Sequence, residues 1–244
     1  MRALNEKGQQ YHLELMPGDV GRYVILPGDP GRVERIAAFL EDPRPVASNR
    51  EYVTYTGWLD GVKVSVTSTG IGSPSAAIAV EELIAVGADT FIRVGTAGMI
   101  QDDVGTDDVI IATGAVRDEG TTRQYIPLGY PAVADAQLVR ALQEAAEGCD
   151  KRYRTGVVQS KDAFYGETEP DTIPNETMLL EQWKAWKRGR VLASEMEAAA
   201  LFVVSAIRGV RAGCILNNRG DMNQTIEVAV EAVRRLIRRD GGAQ

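Results

Sequence analysis

The feature that most constrains the fold is an alternation of short, β-branched apolar runs with segments of helical spacing. Residues 62–67 alternate in polarity, and residues 90–94 form a short buried-strand pattern that ends at Gly95. Further strand patterns lie at residues 23–26, 109–112, 156–159 and 214–216. Helical patterns lie at residues 75–86, 134–147, 193–208 and 225–239, with Ser75 and Ser194 as candidate N-caps.

Strands that alternate with helices predict a mostly parallel or mixed sheet with helices over both faces. The chain has 244 residues, 44% of them hydrophobic, which is enough for a sizeable core. It contains no internal repeat, low-complexity tract or linker rich in proline or serine. We therefore expect one α/β domain over residues 1–244.

Charge and cysteine content narrow the class of function. A formal net charge of -7 makes the chain a poor general binder of nucleic acid or anionic membranes, so an anion site needs a local positive field. Cys149 and Cys214 are far apart and lack metal-ligand spacing, which favours a reducing compartment over a disulfide framework. No apolar run reaches membrane-spanning length, and the polar residues at 5–10 do not resemble a signal peptide. We expect a cytoplasmic protein.

Residues 28–32, which read Gly-Asp-Pro-Gly-Arg, lie between a strand pattern and a helical pattern. Glycines let backbone N–H groups approach a ligand, a helix N-terminus adds partial positive charge, and Arg32 supplies a fork of donors. Neither the Walker phosphate loop nor the G-x-G-x-x-G dinucleotide fingerprint is present here. The segment indicates a site for a small free anion such as phosphate; a turn with a surface arginine is the alternative.

Two further glycine-containing loops follow strand patterns, at residues 69–72 (Thr-Gly-Ile-Gly) and 93–98 (Arg-Val-Gly-Thr-Ala-Gly). A glycine pair after a strand is usually only a tight turn. In α/β sheets, however, ligands bind at the carboxyl ends of strands. Three anion-compatible loops at strand ends therefore favour one shared site.

A second signal is the sequence Ser-Glu-Met-Glu at residues 194–197, which precedes an almost wholly apolar stretch. Acidic residues favour the first turn of any helix, so Glu195 and Glu197 also have a purely structural interpretation. The apolar stretch predicts a buried helix, and a carboxylate beside its start must be hydrogen-bonded. A carboxylate can accept bonds from two neighbouring sugar hydroxyls, and the Met196 thioether can pack on a sugar face.

Together these motifs resemble the nucleoside phosphorylase-I family, most of all its uridine phosphorylase branch. The resemblance covers most of the chain, from residue 18 to about residue 213. It is carried by residues 28–32, by residues 69–78 with Glu-Glu-Leu at 81–83, by residues 93–96 and by residues 195–197.

The resemblance implies a mixed, barrel-like sheet surrounded by helices, in a chain that assembles as a hexamer of three dimers. It implies reversible phosphorolysis in nucleoside catabolism and pyrimidine salvage: a nucleoside and phosphate give a free base and ribose 1-phosphate. Phosphate is then a co-substrate, and no organic cofactor is required. Glycosidic cleavage passes through an oxocarbenium-like transition state, so positioning and electrostatic stabilisation supply the catalysis.

The resemblance also implies roles for particular residues. The phosphate contacts are Gly28, Arg32, Arg50, Arg93 and Thr96, with Arg50 reaching the site of a neighbouring subunit. The ribose contacts are His12, Met196 and Glu197, with His12, the only histidine, crossing the same interface. The base contacts are Phe164 and Glu167. Glu51, Ile71 and Ser75 match positions that hold a potassium ion between subunits in some relatives. The expected catalytic residues are Arg93, Glu197 and Arg32.

Base recognition departs from the pattern of the branch. In residues 164–170, Glu167 stands where a glutamine is usual, and no arginine follows nearby. An ionised carboxylate accepts the N3–H of uracil but cannot donate to O4, whereas a protonated one does both. A carboxylate also suits the N1–H of a 6-oxopurine, and a displaced loop leaves Glu167 in solvent. We expect uridine as the substrate, with purine nucleosides or a broader range as the alternative.

The segment between the last strand and the last helix, residues 217–223, is shorter than the loop usual in the family. Within it, Arg219 is a candidate donor to the base and Asp221 a candidate acid for a purine, although a solvated loop explains both. Two other classes of function compete. A hydrolase on this fold uses water in place of phosphate, and such relatives lack the arginines. A non-catalytic binding protein has no need of arginines at three strand ends.

Overall fold

A computed structural model of the chain describes residues 4–218 and 221–241, which form a mixed sheet with helices on both faces. The strands are β1 (Tyr23–Pro27), β2 (Glu41–Asn49), β3 (Tyr52–Leu59), β4 (Val62–Thr67), β5 (Thr90–Thr96), β6 (Gly98–Met99), β7 (Val109–Asp118), β8 (Ala132–Val133), β9 (Tyr153–Lys161), β10 (Ala193–Glu195) and β11 (Arg211–Asn217). The helices are α1 (Val33–Ala37), α2 (Ser73–Ala85), α3 (Thr121–Tyr125), α4 (Ala136–Gly148), α5 (Phe164–Thr168), α6 (Glu176–Arg188), α7 (Ala198–Arg208) and α8 (Met222–Gly241). Short 3-10 turns lie at Pro30–Arg32 and Pro170–Thr172.

The sheet closes on itself because β6 follows β5 with only Ala97 between them. The strand order is β2-β3-β4-β1-β5-β11-β7-β9-β10-β6, with β8 paired to β7. Strands β4, β1, β5 and β11 are parallel, β7 runs antiparallel to β11, and β9 and β10 run parallel to β7. Since β6 pairs with β10 and also continues β5, the strands from β5 to β10 curl into a barrel. This confirms the prediction of a mixed, barrel-like sheet.

Alternate residues of the central strands face two hydrophobic cores. Tyr23 of β1 and Ile92 of β5 belong to the core that includes residues of α1, α4 and α8. Val24 and Phe91 belong to the opposite core, which includes residues of α2 and α7. Because strand side chains alternate with period two, Arg93 lies on the same face as Phe91. The alternation therefore places a charged side chain beneath α2 and α7.

Most of the predicted elements are present, although their ends differ. The six predicted runs are covered by β1, β4, β5, β7, β9 and β11, and α4 and α8 lie within three residues of the predicted helices. Helix α2 begins at Ser73, and its N-cap position is Gly72, with a φ of 95° that favours glycine. The prediction of Ser75 as the N-cap is wrong, because its hydroxyl instead bonds the Thr69 carbonyl.

The helix predicted over residues 193–208 begins five residues later, at Ala198. Residues Ala193–Glu195 form β10, which pairs with β9 and β6 and so completes the barrel. Ser194 is therefore a strand residue and not a helix cap. Sheet pairing overrides the helical pattern of this segment, and the Glu195 carboxylate accepts from the N–H of Ala198 instead.

Several elements are not evident in the sequence, among them the hairpin β2–β3 and helix α6. Strand β2 contains Pro43 and Pro45, which usually exclude a strand. It lies exposed at the edge of the sheet, where a missing N–H costs no ladder hydrogen bond. Helix α6 has no buried residue and therefore lacks the wide apolar stripe of a core helix.

The helices and the two cysteines can be compared with the expectations from composition. Across residues 4–218 and 221–241, no helix combines the length and apolar character needed to cross a membrane. Cys149 and Cys214 are both free thiols, and Cys214 is buried.

Gly21 approaches β4 so closely that we expect a single methyl group there to destabilise the fold. A Cβ at this position would lie 2.5 Å from the carbonyl carbon of Lys63 and 2.9 Å from the nitrogen of Val64. Both are backbone atoms that cannot rotate away, so Gly21→Ala should lower the free energy of unfolding by about 2–4 kcal/mol.

Gly129→Ala is the matched control, because a Cβ on Gly129 meets no atom within 4 Å. It should change the free energy of unfolding by less than about 1 kcal/mol. Urea denaturation followed by circular dichroism measures both variants. Equal stability of the two would contradict the close contact at Gly21.

Candidate active site

Arg93 is the centre of the candidate site and is buried, with 6% of its surface exposed. It stands in register with Leu26 of β1 and Cys214 of β11, so the two strands beside β5 flank it. A Cβ on Gly95 would lie 2.9 Å from Nη2 of Arg93 and 3.0 Å from Leu216. Gly95, which the sequence suggested as a turn residue, therefore leaves room for the guanidinium.

Two carboxylates hold the Arg93 guanidinium. Its Nε donates to Oε2 of Glu195 at 3.0 Å, and its Nη2 pairs with Oε2 of Glu197. Burial by itself would lower the pKa of Arg93, but the negative charges of Glu197 and Glu195 outweigh burial and raise it above its usual value. The guanidinium therefore stays charged at neutral pH.

The remaining guanidinium nitrogen lies beside the predicted anion loop. Among the described residues, Nη1 of Arg93 is buried without a hydrogen-bond partner. A Cβ on Gly28 would lie 3.8 Å from this atom and 3.2 Å from the carbonyl oxygen of Gly70, so glycine keeps the approach open. A buried charged donor without an acceptor is unfavourable. An anion bound beside Gly28 would supply that acceptor.

Glu195 holds both the Arg93 guanidinium and the start of α7 in place. Its carboxylate accepts from the N–H groups of Glu197 and Ala198, both at 2.9 Å, and from the Ser160 hydroxyl. Negative charge at a helix N-terminus also interacts favourably with the helix dipole. Glu195 is therefore a positioning residue whose oxygens are taken up by the protein itself.

Glu197 joins Arg93 to the N-terminus of α2. Its Oε1 accepts from the Gly72 N–H at 2.6 Å, and the Ser73 hydroxyl donates to the Met196 carbonyl at 3.0 Å. Burial raises the pKa of Glu197, Arg93 opposes that shift, and Glu195 adds to it. A carboxylate offers about four acceptor positions, so capacity for hydroxyl donors remains. The fold thus brings residues of three separate motifs into one cluster.

The other candidate phosphate residues lie at strand ends. Arg32 ends the 3-10 turn after β1, with its Nε 3.6 Å from Oδ2 of Asp29 and its side chain partly exposed. Thr96 is the exposed last residue of β5. Arg50 lies on the exposed turn between β2 and β3, with a φ of 53°. The first two lie at the ends of the neighbouring strands β1 and β5, whereas Arg50 lies at the tip of the edge hairpin.

Glu82 orients His12. The ring Nδ1 lies 2.7 Å from Oε1 of Glu82, and the N–H groups of His12 and Leu13 donate to Oε2 at 3.0 and 2.8 Å. An ionised carboxylate only accepts hydrogen bonds, so Nδ1 carries a proton and Nε2 is left for another partner. Asn49 Nδ2 also donates to the His12 carbonyl at 2.8 Å. Sequence reasoning gave Glu82 no role.

Two of the candidate potassium ligands lie together. Oε1 of Glu51 accepts from the Ser75 hydroxyl at 2.9 Å, and Ser75 also bonds the Thr69 carbonyl. Oxygen donors of this kind suit a potassium ion. The third candidate, Ile71, is 78% exposed and has an apolar side chain, so only its backbone carbonyl could serve as a ligand. In the part of the chain that the structure describes, no group of three or more His, Cys, Asp or Glu side chains could hold a metal.

Phe164 and Glu167 both lie on α5 but differ in exposure. Phe164 is 52% exposed and contacts Tyr165 edge to face, with ring centroids 5.4 Å apart. Glu167 turns inward, where Oε2 forms an ion pair with Lys161 and accepts from the Ser194 hydroxyl at 2.5 Å. The alternative that a displaced loop leaves Glu167 in solvent is therefore wrong.

Two cavities meet at Glu167. One, of about 420 Å³, is lined by Ala97 and Gly98, which follow Thr96, and by Asn218. The other, of about 540 Å³, lies between α5 and α6 and is also lined by Lys161. The segment that closes the barrel, residues 96–98, thus connects the candidate phosphate contact Thr96 with the cavity at the candidate base contact Glu167.

Sequence reasoning missed Lys161 as well as Glu82. Lys161 is the last residue of β9, and a charge that ends a strand just before the predicted base loop was the available signal. Asp221 is exposed, and its Oδ1 lies 3.3 Å from Nη2 of Arg35, which gives no support to a role as an acid toward a purine. Arg219 lies outside the described residues.

Comparisons with known proteins define the class to which this geometry belongs. The sequence profile of the phosphorylase superfamily matches residues 22–238. A uridine phosphorylase of Treponema pallidum is 50% identical, over 98% of this chain and 99% of its own length. A uridine phosphorylase of Thermococcus kodakarensis is 50% identical, over 88% of this chain and 78% of its own. A guanosine phosphorylase of Halorubrum lacusprofundi is 44% identical, over 88% and 84%.

The chain therefore belongs to the phosphorylase superfamily. The match spans every motif on which the resemblance depends, from residues 28–32 to residues 195–197. The family prediction made from those motifs is confirmed.

Removing the Glu82 carboxylate should release the segment that carries His12. Because three donors of this segment bond Glu82, Glu82→Ala should speed amide hydrogen exchange of His12 and Leu13 by about tenfold or more. Glu81→Ala is the matched control, since its carboxylate pairs with the exposed Arg208. Hydrogen–deuterium exchange measures the effect; unchanged protection in Glu82→Ala would show that other contacts hold the segment.

Proposed function

We propose that the protein catalyses the reversible phosphorolysis of uridine to uracil and ribose 1-phosphate. The observation that carries this proposal is the buried, unpartnered Nη1 of Arg93, found among the described residues beside Gly28. The same guanidinium bonds Glu197 through Nη2. One cation therefore joins a place for a phosphate oxygen to a carboxylate suited to ribose hydroxyls, which phosphorolysis requires.

Phosphate binds between the ends of β1 and β5 in this proposal. Gly28 admits the anion, and Arg32, Arg93 and Thr96 contact it from one chain. Arg50 reaches it from a neighbouring copy, which accords with its exposed position at the tip of the edge hairpin. Several cations are needed because the two carboxylates on Arg93 leave that cluster with a net negative charge.

The reaction is a displacement at the anomeric carbon. A phosphate oxygen forms a bond to C1′ while the C1′–N1 bond breaks, and the electron pair of that bond stays on the base. The uracil anion then takes a proton from solvent. Positive charge develops on the ribose ring in the transition state and is stabilised by the phosphate dianion and by Glu197.

The ribose contacts in the proposal come from two copies of the chain. Glu197 accepts from the sugar hydroxyls with the capacity that Arg93 and Gly72 leave free. Met196 packs against the sugar. His12 reaches the ribose of a neighbouring site through Nε2, because Glu82 occupies its Nδ1. Arg93, Glu197 and Arg32 are the proposed catalytic residues.

Uridine is the favoured substrate because several relatives at 38–50% identity over most of the chain are named uridine phosphorylase. Phosphorolysis of a purine nucleoside is the second candidate. It is favoured by the relative named guanosine phosphorylase and by Glu167, since a carboxylate suits the N1–H of a 6-oxopurine. The proposed role in either case is nucleoside catabolism and salvage, pyrimidine salvage in the first.

Further parts of the proposal concern assembly and ions. We propose one domain over residues 1–244 and a hexamer of three dimers with sites shared between subunits. Glu51, Ser75 and the carbonyl of Ile71 are the proposed potassium ligands, supported by the contact between the first two. The free thiols of Cys149 and Cys214 support a cytoplasmic location.

Replacing Arg93 should abolish phosphate-dependent release of uracil from uridine. Arg93→Met should lower kcat/KM for phosphate by about a thousandfold, because charge-assisted bonds to the phosphate are lost in the transition state. It also leaves two buried carboxylates unpaired, at a cost of about 3–5 kcal/mol in stability. Arg93→Lys, which keeps the charge but not the fork, separates the two effects.

Arg211→Met is the matched control, because Arg211 pairs with Asp240 at the opposite end of the adjacent strand β11. Its kcat/KM should change by less than about threefold. Assays of uridine, inosine and guanosine, each with and without phosphate, test the reaction. Release of hypoxanthine or guanine alone would replace uridine by a purine nucleoside. Base release without phosphate would overturn phosphorolysis itself.

Shared sites predict that two inactive variants complement each other. The Arg50→Ala variant lacks the arginine that reaches the site of a neighbouring chain. The Arg93→Met variant lacks the arginine of the chain's own site. Coexpression in equal amounts should restore about a quarter of the wild-type activity, because half the dimers are mixed and each has one intact site. Separately purified variants are the control. Activity no higher than theirs would place Arg50 and Arg93 in the site of one chain.

A further inference from the structure

Lys161, Glu167 and Ser194 form a cluster, which we call the lysine cluster, at the end of β9, in the short strand β10 and on α5. We propose that this cluster reads the edge of the base and admits lactam bases, in which a ring N–H adjoins a carbonyl. Lys161 is the donor to that carbonyl and Glu167 the acceptor for the N–H. This inference rests on the proposed function and names the substrate class of the same site.

The acceptor half is one free oxygen of Glu167. Within the described residues, the hydrogen bonds to Glu167 from Lys161 and Ser194 both use Oε2. The other oxygen, Oε1, adjoins Gly98, where a Cβ would come within 3.0 Å of it. Gly98 thus leaves space in front of Oε1, and both residues line the cavity of about 420 Å³ that begins next to Thr96.

The donor half is the Lys161 ammonium. It carries three N–H groups, and it donates one to Glu167 and one to Ser194, the latter at 2.7 Å. One N–H remains for a ligand. The Nζ atom lies 5.8 Å from the centroid of the exposed Phe164 ring, so a base stacked on that ring lies within its reach.

Because Lys161 and Glu167 are largely buried, each discriminates between hydrogen-bond donors and acceptors on a ligand. The side chains of Lys161 and Glu167 are 11% and 16% exposed, so water screens their charges only weakly. Oε1 of an ionised Glu167 can only accept, and the ammonium can only donate. A ligand edge that presents a lone pair to Oε1, or an amino group to Lys161, therefore leaves a poorly solvated charge without its bond.

This polarity sorts the natural bases by their chemistry. Uracil and thymine present N3–H beside O4, and hypoxanthine and guanine present N1–H beside O6. Cytosine and adenine present the reverse, a bare ring nitrogen beside an amino group. Relatives named for uridine and for guanosine both act on lactam bases, so one cluster accounts for both names.

Lys161 also supplies the donor that the base loop itself lacks, since no arginine follows Glu167 nearby. When the C1′–N1 bond breaks, the negative charge on the base spreads onto its carbonyl oxygens. An ammonium bonded to one of them stabilises the leaving group more than the intact nucleoside, so its loss lowers kcat more than it raises KM.

The experiment compares four proteins: wild type, Lys161→Met, Glu167→Gln and the double variant, which removes both charges together. The control is Lys184→Met, because Lys184 is in an exposed ion pair with Glu181 on α6. Steady-state rates with phosphate are measured for uridine, inosine, cytidine and adenosine. The thermal shift produced by phosphate, and the melting temperature, report whether each variant is folded with its anion site intact.

The wild type should use at least one lactam nucleoside and prefer it to both amino nucleosides by about a hundredfold or more. Lys161→Met should lower kcat for that substrate by about ten- to a hundredfold. Glu167→Gln should narrow the preference for uridine over cytidine by about tenfold or more, because an amide can also donate to a bare ring nitrogen. Lys184→Met should match the wild type.

Unchanged preference in both single variants, with phosphate binding retained, would overturn the inference and leave an ion pair with only a structural role. A wild type that splits none of the four nucleosides would instead overturn the proposed function. Calorimetry with free uracil, 3-methyluracil, cytosine, hypoxanthine and adenine in the presence of phosphate then decides the inference separately. Tighter binding of uracil than of 3-methyluracil and cytosine supports it, as does the corresponding preference for hypoxanthine over adenine. In Glu167→Gln the preference for uracil over cytosine should narrow, because an amide can also donate to a bare ring nitrogen. Equal binding within both sets refutes it.

Discussion

The site depends on one buried cation held between two carboxylates. Arg93 joins strand β5 to Glu195, which accepts from the N–H of Ala198 at the start of α7, and to Glu197, which reaches the N-terminus of α2. Loss of Arg93 leaves two buried carboxylates unpaired, and loss of either carboxylate leaves part of the buried guanidinium without its acceptor, so the three side chains define one arrangement. The cluster carries net negative charge in a chain whose formal charge is -7. Binding of a dianion there consequently needs positive charge from outside the cluster, and the proposed roles of Arg32 and Arg50 follow from that need.

Much of the fold could be predicted because its central strands are buried on both faces and its helices amphipathic. The predictions failed where long-range pairing decides the local structure. Residues 193–195 have a helical sequence but form β10, because β9 and β6 offer backbone partners there. Strand β2 keeps Pro43 and Pro45 because it lies at an edge, a position that the sequence does not reveal.

Some contacts of the candidate site could likewise be predicted from the sequence, and others could not. Motifs that lie within a few residues of one strand end, such as Gly28 and Arg93, were visible in the sequence. The contacts of Glu82 with His12 and of Lys161 with Ser194 were not, because each joins residues 33 or more positions apart. Because no arginine follows Glu167 nearby, the sequence suggested that the base loop lacks a hydrogen-bond donor to the base. The donor is present in the fold, but it comes from the preceding strand and not from the loop.

The closure of the barrel has a geometric consequence. Thr96, at the proposed phosphate contact, and Gly98, in front of Glu167, are two residues apart along one extended segment. Such a segment advances about 3.3 Å per residue, so the two places lie about 7 Å apart. Hydrogen bonds of β5 to β11 and of β6 to β10 fix both ends. This part of the backbone therefore keeps the two places at a constant distance. A ligand that contacts both must match that distance between the attacking phosphate oxygen and the base.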